Sequence, residues 1–211
     1  MSEKPLEKRQ YDFEVRTERT PAGNVITGRP IVYRQKTDLG EFAEIIEPGA
    51  LDKTDLTDVR FLINHNLSMI PLARSRKDIQ NSTMQLSVDD GGMVIRVLLD
   101  TENNSDARSL YSAVERGDIS GMSFMFGIEK ERWEGLNTDY PTRHIEQIST
   151  VVEVSAVTLP AYESTEINAR DKAALESARS AVFAARQSQQ KAVDTALEVE
   201  KLKANYLYGG I

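Results

Sequence analysis

The chain has 211 residues, 40% hydrophobic and 28% charged, a globular balance that allows one domain, or a domain of about 150 residues with an appendage. Its net charge of −7 argues against a nucleic-acid partner bound by broad neutralisation of phosphates. The absence of cysteine excludes disulfides, thiol nucleophiles and cysteine-based zinc sites, and two histidines are too few for a histidine-rich metal centre.

The N-terminal segment is charged and lacks the apolar core of a secretory signal. No apolar run in the chain approaches the roughly 18 residues that a membrane span requires. We therefore expect an intracellular protein with no membrane partner, and the sequence indicates neither a metal nor an organic cofactor.

Short strands are predicted in the first part of the chain, where apolar and polar residues alternate. A turn at residues 20–24 joins the first two of them into a hairpin. A short helical turn is predicted over residues 51–56, after a Pro-Gly turn. The predicted strands of this region cover residues 11–15, 25–27, 31–33 and 42–46.

The next predicted strand carries one of the two histidines at its end. By the period of two, Val59, Phe61, Ile63 and His65 share one face. We therefore expect His65 to point the same way as core residues, at the rim of the sheet.

A hairpin and a helix follow. Residues 84–99 predict two strands joined by a turn at residues 89–92. Asn104 or Ser105 can cap a helix, because a short oxygen acceptor satisfies free amide donors, and Gly117 can end it. The apolar stripe of this helix is formed by Ala107, Leu110, Tyr111 and Val114.

Two further strands and a polar helix complete the prediction. Residues 122–128 alternate with Ser123 near the start, and residues 151–160 form an apolar run that is broken by Glu153. From residue 171 to about residue 203 there is no Gly or Pro, and helix-forming residues dominate.

Three side chains at or near strand ends suggest nucleophilic catalysis. A serine hydroxyl needs a base within hydrogen-bond reach, and that base needs a third group to orient it and to stabilise the imidazolium. Ser123, His65 and Glu153 can supply these roles from three predicted strands. The same residues also fit structural roles: a small strand residue, a rim histidine and a buried salt bridge.

Other residues compete for parts of this site. His144 is an alternative third member, although its polar surroundings also fit a surface histidine. Arg74 can stabilise an oxyanion or position a substrate, and the main-chain amides after Gly121 can do so instead.

At these residues the chain resembles the prohead serine proteases of tailed bacteriophages, which are distant relatives of the herpesvirus assembly protease, assemblin. The order and spacing of the similar stretches match together over about residues 10 to 165. These stretches are residues 44–51, 64–66, 72–74, 117–126 and 153–162.

The resemblance implies a serine endopeptidase inside the immature capsid, or prohead, in the host cytoplasm. Its substrates would be scaffold or major capsid protein delta segments, and often its own tail. By position, His65 looks like the base, Ser123 the nucleophile and Glu153 the acidic third member, although the herpesvirus relatives use a second histidine there. The relatives also imply a homodimer or activation by assembly.

The implied fold is α+β and mainly β, a small closed or partly open β-barrel of about six or seven strands surrounded by helices. We expect residues 1–165 to form the protease domain and residues 166–211 a helical C-terminal tail. Two other functions remain open: a catalytically silent scaffold that binds coat protein through this helix, and a non-proteolytic esterase.

Overall fold

A computed structural model of the chain describes residues 6–11, 15–76, 82–158 and 172–184. The described part is mainly β. Its strands are β1 (Leu6–Tyr11), β2 (Arg16–Thr20), β3 (Gly23–Val32), β4 (Lys36–Asp38), β5 (Ala43–Ile46), β6 (Asp58–Ile63), β7 (Ala73–Arg76), β8 (Met84–Asp89), β9 (Gly92–Leu99), β10 (Gly121–Glu134) and β11 (Thr142–Val157). Its helices are α1 (Ser105–Glu115) and α2, residues 172–184.

The strands form two sheets. The order of the larger, seven-stranded sheet is β1-β10-β11-β5-β4, and β6 pairs with β11 and with β7. The smaller sheet has the order β2-β3-β9-β8. Within the larger sheet β11 is central, because it pairs antiparallel with β10 and parallel with both β5 and β6.

One hydrophobic core joins the two sheets and α1. Phe61, Phe124 and Val154 enter it from the larger sheet, and Ile26 and Ile95 enter it from the smaller one. All five side chains are fully buried. Burial of this apolar surface is the main stabilising contribution to the fold.

The hairpin of β8 and β9 and the helix α1 lie where the sequence predicts them. Asn104 caps α1, its side-chain oxygen accepting hydrogen bonds from the amides of Asp106 and Ala107. Gly117 follows the helix with a φ of +79°, a conformation that glycine adopts without steric cost. The predicted apolar stripe of α1 is buried, at Ala107, Leu110, Tyr111 and Val114.

The expected barrel is not closed, although the mainly β class is confirmed. The described strands form two open sheets, and the described residues contain the two helices α1 and α2. The larger sheet ends at β4, a strand of only three residues of which two are charged. Short and charged edge strands are a common way to end a sheet without further pairing.

Several element boundaries also differ from the prediction. The first hairpin pairs β2 with β3, whereas β1 lies beside β10 in the other sheet. Residues 51–56 form turns and an isolated bridge rather than a helical turn. β10 and β11 are long strands of 14 and 16 residues, so each extends well beyond the strands predicted at residues 122–128 and 151–160.

The start of α2 contacts two loops of the larger sheet, one between β4 and β5 and one between β10 and β11. Leu175 is only 1% exposed, Lys172 forms an ion pair with Glu41, and Arg179 donates to the carbonyl of Thr138. The rest of the predicted tail helix, from residue 185 onward, lies outside the described residues, as does the boundary at residue 165. Among the described residues, no helix has the length and apolar character needed to cross a membrane.

Candidate active site

Three adjacent strands bring the candidate side chains together. Ser123 is the third residue of β10 and lies opposite Ser155 of β11, and Glu153 lies two positions before Ser155. Because paired residues share a face and side chains alternate along a strand, Ser123, Glu153 and Ser155 lie on the same face of the sheet. Phe124 and Val154 take the opposite face, which is the core side.

His65 is held just beyond the end of β6, the other neighbour of β11. Asn64 and His65 both have left-handed backbone conformations, with φ of 50° and 57°. Such values are uncommon outside glycine, although Asn and His adopt them more readily than most residues. The expected alternation therefore stops at Ile63, and the turn, rather than the period of two, directs His65.

Hydrogen bonds to β11 hold this turn. The amide of Asn64 donates to the carbonyl of Ala156 at 3.0 Å, and the amide of Thr158 donates to the side-chain oxygen of Asn64 at 3.0 Å. The amide of His65 donates to Oγ of Ser155, also at 3.0 Å. Asn64 and His65, the two residues with left-handed backbone conformations, are thus each held by hydrogen bonds.

The imidazole of His65 lies between the serine and the carboxylate. Its Nε2 is 2.5 Å from Oγ of Ser123, and its Nδ1 is 2.5 Å from Oε1 of Glu153. With Nδ1 protonated toward the carboxylate, Nε2 is free to accept the serine proton. This is the geometry of a nucleophile, a base and an acidic orienting group.

The carboxylate of Glu153 is fully buried, so its charge needs partners. It has two: His65 at Oε1, and the hydroxyl of Ser155, which donates to Oε2 at 2.5 Å. The side chain of His65 is 15% exposed and Ser123 is 1% exposed. Both ends of this chain of contacts are therefore buried, and the imidazole in its middle is the most exposed of the three side chains.

Comparison with known proteins assigns the family. A family model of the caudovirus prohead serine proteases matches residues 11–179, most of the chain. This chain belongs to that family. No curated protein matches it. Among solved structures, the bacteriophage T4 capsid assembly protease, gp21, is similar with a TM-score of 0.42 and 12% sequence identity, over 74% of this chain and 97% of that one.

Arg74 of this family member lies on β7, where its guanidinium binds Asp58. Nε of Arg74 donates to Oδ1 of Asp58 at 2.5 Å, and its Nη2 binds Oδ2. The hydrogen bonds from Arg74 hold the pKa of the Asp58 carboxyl below its ordinary value. Gly121 begins β10, opposite Val157. The roles of Arg74 and Gly121 toward an oxyanion remain predictions.

His144 lies near the start of β11, whereas Glu153 lies near its end. The imidazole of His144 contacts Glu47, with 2.6 Å between Nδ1 and Oε1, and Arg132. The residue is 7% exposed, so its polar sequence surroundings did not indicate a surface position. In the structure His144 belongs to a cluster of charged side chains near the start of β11.

Two groups at the site were not singled out from the sequence. One is Ser155. Its position two residues after Glu153 on one predicted strand indicates that the two side chains share a face, so the sequence contained a signal for it. The other is the main-chain carbonyl of Arg9, which accepts a hydrogen bond from Oγ of Ser123 at 2.8 Å. Nothing local in the sequence pairs residue 9 with residue 123, because that contact depends on β1 joining β10.

Proposed function

We propose that this chain is a serine endopeptidase of phage capsid maturation, with Ser123 as nucleophile, His65 as general base and Glu153 as the acidic third member. The observation that carries the proposal is the continuous contact from Ser123 Oγ through the imidazole of His65 to the carboxylate of Glu153. Membership of the prohead protease family supports the same activity.

In the proposed first step, Nε2 of His65 takes the proton of Ser123 as Oγ attacks the carbonyl carbon of the scissile peptide. The imidazolium then gives this proton to the leaving amine, and an acyl-enzyme remains on Ser123. Water, deprotonated by His65, attacks the acyl carbonyl, and the imidazolium returns this proton to Oγ of Ser123 as the acid product leaves. Glu153 stabilises the imidazolium in both halves of the reaction, at a site where burial strengthens the charge interaction.

The oxyanion of each tetrahedral intermediate needs hydrogen-bond donors. Arg74 and the main-chain amides after Gly121 are the proposed candidates. Arg74 has a partner already in Asp58, which favours the amides.

The proposed substrates are scaffold protein or the delta segment of the major capsid protein, cut inside the prohead in the host cytoplasm. Membership of the prohead protease family supports this substrate class. Self-cleavage and dimerisation belong to the same proposal.

The test is to incubate the chain and its Ser123→Ala variant with the capsid and scaffold proteins of the same phage. Cleavage by the wild type alone is the expected result, and undiminished cleavage by Ser123→Ala rejects the assignment. Ser149→Ala is the matched control, since Ser149 lies on β11 and is only partly buried.

Labelling with a fluorophosphonate separates a protease from the other candidates. A silent scaffold takes no label at Ser123, and an esterase takes the label but turns over simple esters without cutting peptides. Mass spectrometry of the wild type beside Ser123→Ala tests self-cleavage, because an autolytic truncation occurs only in the wild type.

A further inference from the structure

Ser155 closes a ring of hydrogen bonds around the acidic end of the proposed triad. Its Oγ accepts from the main-chain amide of His65 at 3.0 Å and donates to Oε2 of Glu153 at 2.5 Å. The other carboxylate oxygen of Glu153 returns to Nδ1 of the same histidine. The ring thus ties both the backbone and the imidazole of His65 to one carboxylate.

The hydroxyl group suits this position chemically. It has one hydrogen to donate and lone pairs to accept, so a single atom serves an amide and a carboxylate at once. Ser155 is fully buried, as is Glu153, so loss of the hydroxyl leaves an amide and a carboxylate oxygen each without this partner.

The position of Ser155 in the sheet explains why its hydroxyl contacts both Glu153 and His65. Ser155 lies opposite Ser123 of β10 on one side and opposite Leu62 of β6 on the other. It is therefore the residue of β11 that lies between the strand of the nucleophile and the strand that leads to the base.

We infer that Ser155 is a positioning residue for peptide-bond hydrolysis, which sets the rotamer of Glu153 and the left-handed turn at His65. This inference rests on the proposed function. Ser155 touches neither the scissile bond nor Ser123 Oγ in this role and acts only through the other two residues. Its hydroxyl keeps Oε1 directed at Nδ1, so that Nε2 faces the serine.

The experiment measures inactivation by a fluorophosphonate in the full chain, with the maximal rate of inactivation, kinact, separated from the half-saturating probe concentration, KI. For Ser155→Ala we expect kinact to fall about tenfold to a hundredfold, which corresponds to a hydrogen bond to a charged group. KI stays unchanged because the probe does not contact Ser155. Ser155→Thr keeps the hydroxyl and restores kinact.

A proton NMR signal of His65 gives a readout that does not depend on turnover. The Nδ1 proton, held against the carboxylate, resonates far downfield in the wild type, and in Ser155→Ala we expect it to move upfield or to broaden. Ser149→Ala serves as the control that changes neither the signal nor kinact. Thermal unfolding of each variant checks that its folded fraction at the assay temperature equals that of the wild type.

The outcomes separate this inference from the proposed function. If Ser123 of the wild type is labelled and Ser155→Ala is labelled at the same rate, the positioning role is wrong and the protease proposal stands. If Ser123 is labelled neither in the wild type nor in a chain that lacks residues 1–11 and therefore β1, the protease proposal fails. The His65 signal then decides alone: a change in Ser155→Ala supports the positioning contact, and an unchanged signal overturns it.

Discussion

The hydroxyl of Ser123 donates to the main-chain carbonyl of Arg9 at 2.8 Å, while its Oγ lies 2.5 Å from Nε2 of His65. A hydroxyl has one hydrogen, so the carbonyl and the imidazole compete for it. With Ser123 only 1% exposed, β1 lies where its carbonyl competes with His65 for this proton and where the strand restricts access to the proposed nucleophile.

Buried charges hold β1 in this place. Arg9 donates to both carboxylate oxygens of Glu44, at 2.5 and 2.8 Å, and Glu7 pairs with Arg143 at 3.0 Å. Arg9, Glu44 and Arg143 are almost fully buried, so each charge depends on its partners.

We therefore predict that deletion of residues 1–11, which removes β1, makes fluorophosphonate labelling of Ser123 faster. An increase of at least about tenfold is expected, the factor for a local opening free energy of about 1.4 kcal/mol. The matched control is deletion of residues 1–5, which leaves β1 in place. The prediction is contradicted if the chain without β1 is labelled more slowly although circular dichroism shows that it is folded. In that case β1 is required for the reactivity of Ser123.

The identity of the third member of the triad is tested by a pair of variants. Glu153→Gln removes the charge that orients His65 and stabilises the imidazolium, so we expect kinact to fall by about 10³-fold to 10⁴-fold. His144→Gln changes a histidine that contacts Glu47, and kinact is expected to stay within about twofold. If kinact falls strongly in His144→Gln and stays unchanged in Glu153→Gln, His144 is the orienting group instead.

For Arg74, the ion pair with Asp58 predicts an effect on stability rather than on the reaction. Arg74→Ala and Asp58→Asn are both expected to leave kinact within about twofold, because the guanidinium is already bound to Asp58. Each is expected to lower the free energy of unfolding by at most about 1 kcal/mol, because a partly exposed pair contributes little. A large loss of kinact in Arg74→Ala alone assigns Arg74 to the oxyanion.

The same pair has a defined pH dependence. Arg74 lowers the pKa of Asp58 in the folded state, so the pair stabilises the fold above the unfolded carboxyl pKa of about 4, and this contribution is lost as the pH falls through the lower folded value. The stability difference between wild type and Arg74→Ala should thus shrink in acid, as measured by urea unfolding at several pH values. A difference that grows toward low pH is inconsistent with the pairing.

Our fifth prediction is that the first turns of α2 belong to the folded unit. Leu175→Ala is expected to lower the free energy of unfolding by about 2 kcal/mol, since Leu175 is 1% exposed. Phe183→Ala, on the same helix but 64% exposed, should change it by less than about 0.5 kcal/mol. Equal effects in urea unfolding argue that α2 does not pack as described.

Local signals predicted the elements that local interactions decide. The β8–β9 hairpin has its two-residue turn at Asp90 and Gly91, between strands of regular alternation. The helix α1 has a cap and an apolar stripe within a few residues of each other. Both kinds of pattern are complete in a short window of sequence.

Charged interior residues are the reason why the sequence did not predict the end of β10 and the start of β11. Glu131 forms an ion pair with Arg143, which is 3% exposed and also pairs with Glu7. The interior of this part of the sheet is therefore an ion-pair network, and its sequence shows no alternation of apolar and polar residues. In sequence, such residues look like those of a polar loop. Their burial depends on β1, which is distant along the chain.

The meeting of Ser123, His65 and Glu153 depends on long-range register in the same way. Strand placement selected these residues as candidates, but their contact requires β11 to pair with β10 on one side and with β6 on the other. The left-handed turn at Asn64 and His65 adds a change of direction that alternation does not predict.

The parallel pairing of β6 with β11 has a consequence for synthesis on the ribosome. A nascent chain that ends before β11 contains the serine and the histidine but neither the carboxylate nor the strand that holds both of their neighbours in register. Since domains generally fold as units during synthesis, translation itself delays assembly of the proposed catalytic site until nearly the whole β-sheet region has been made.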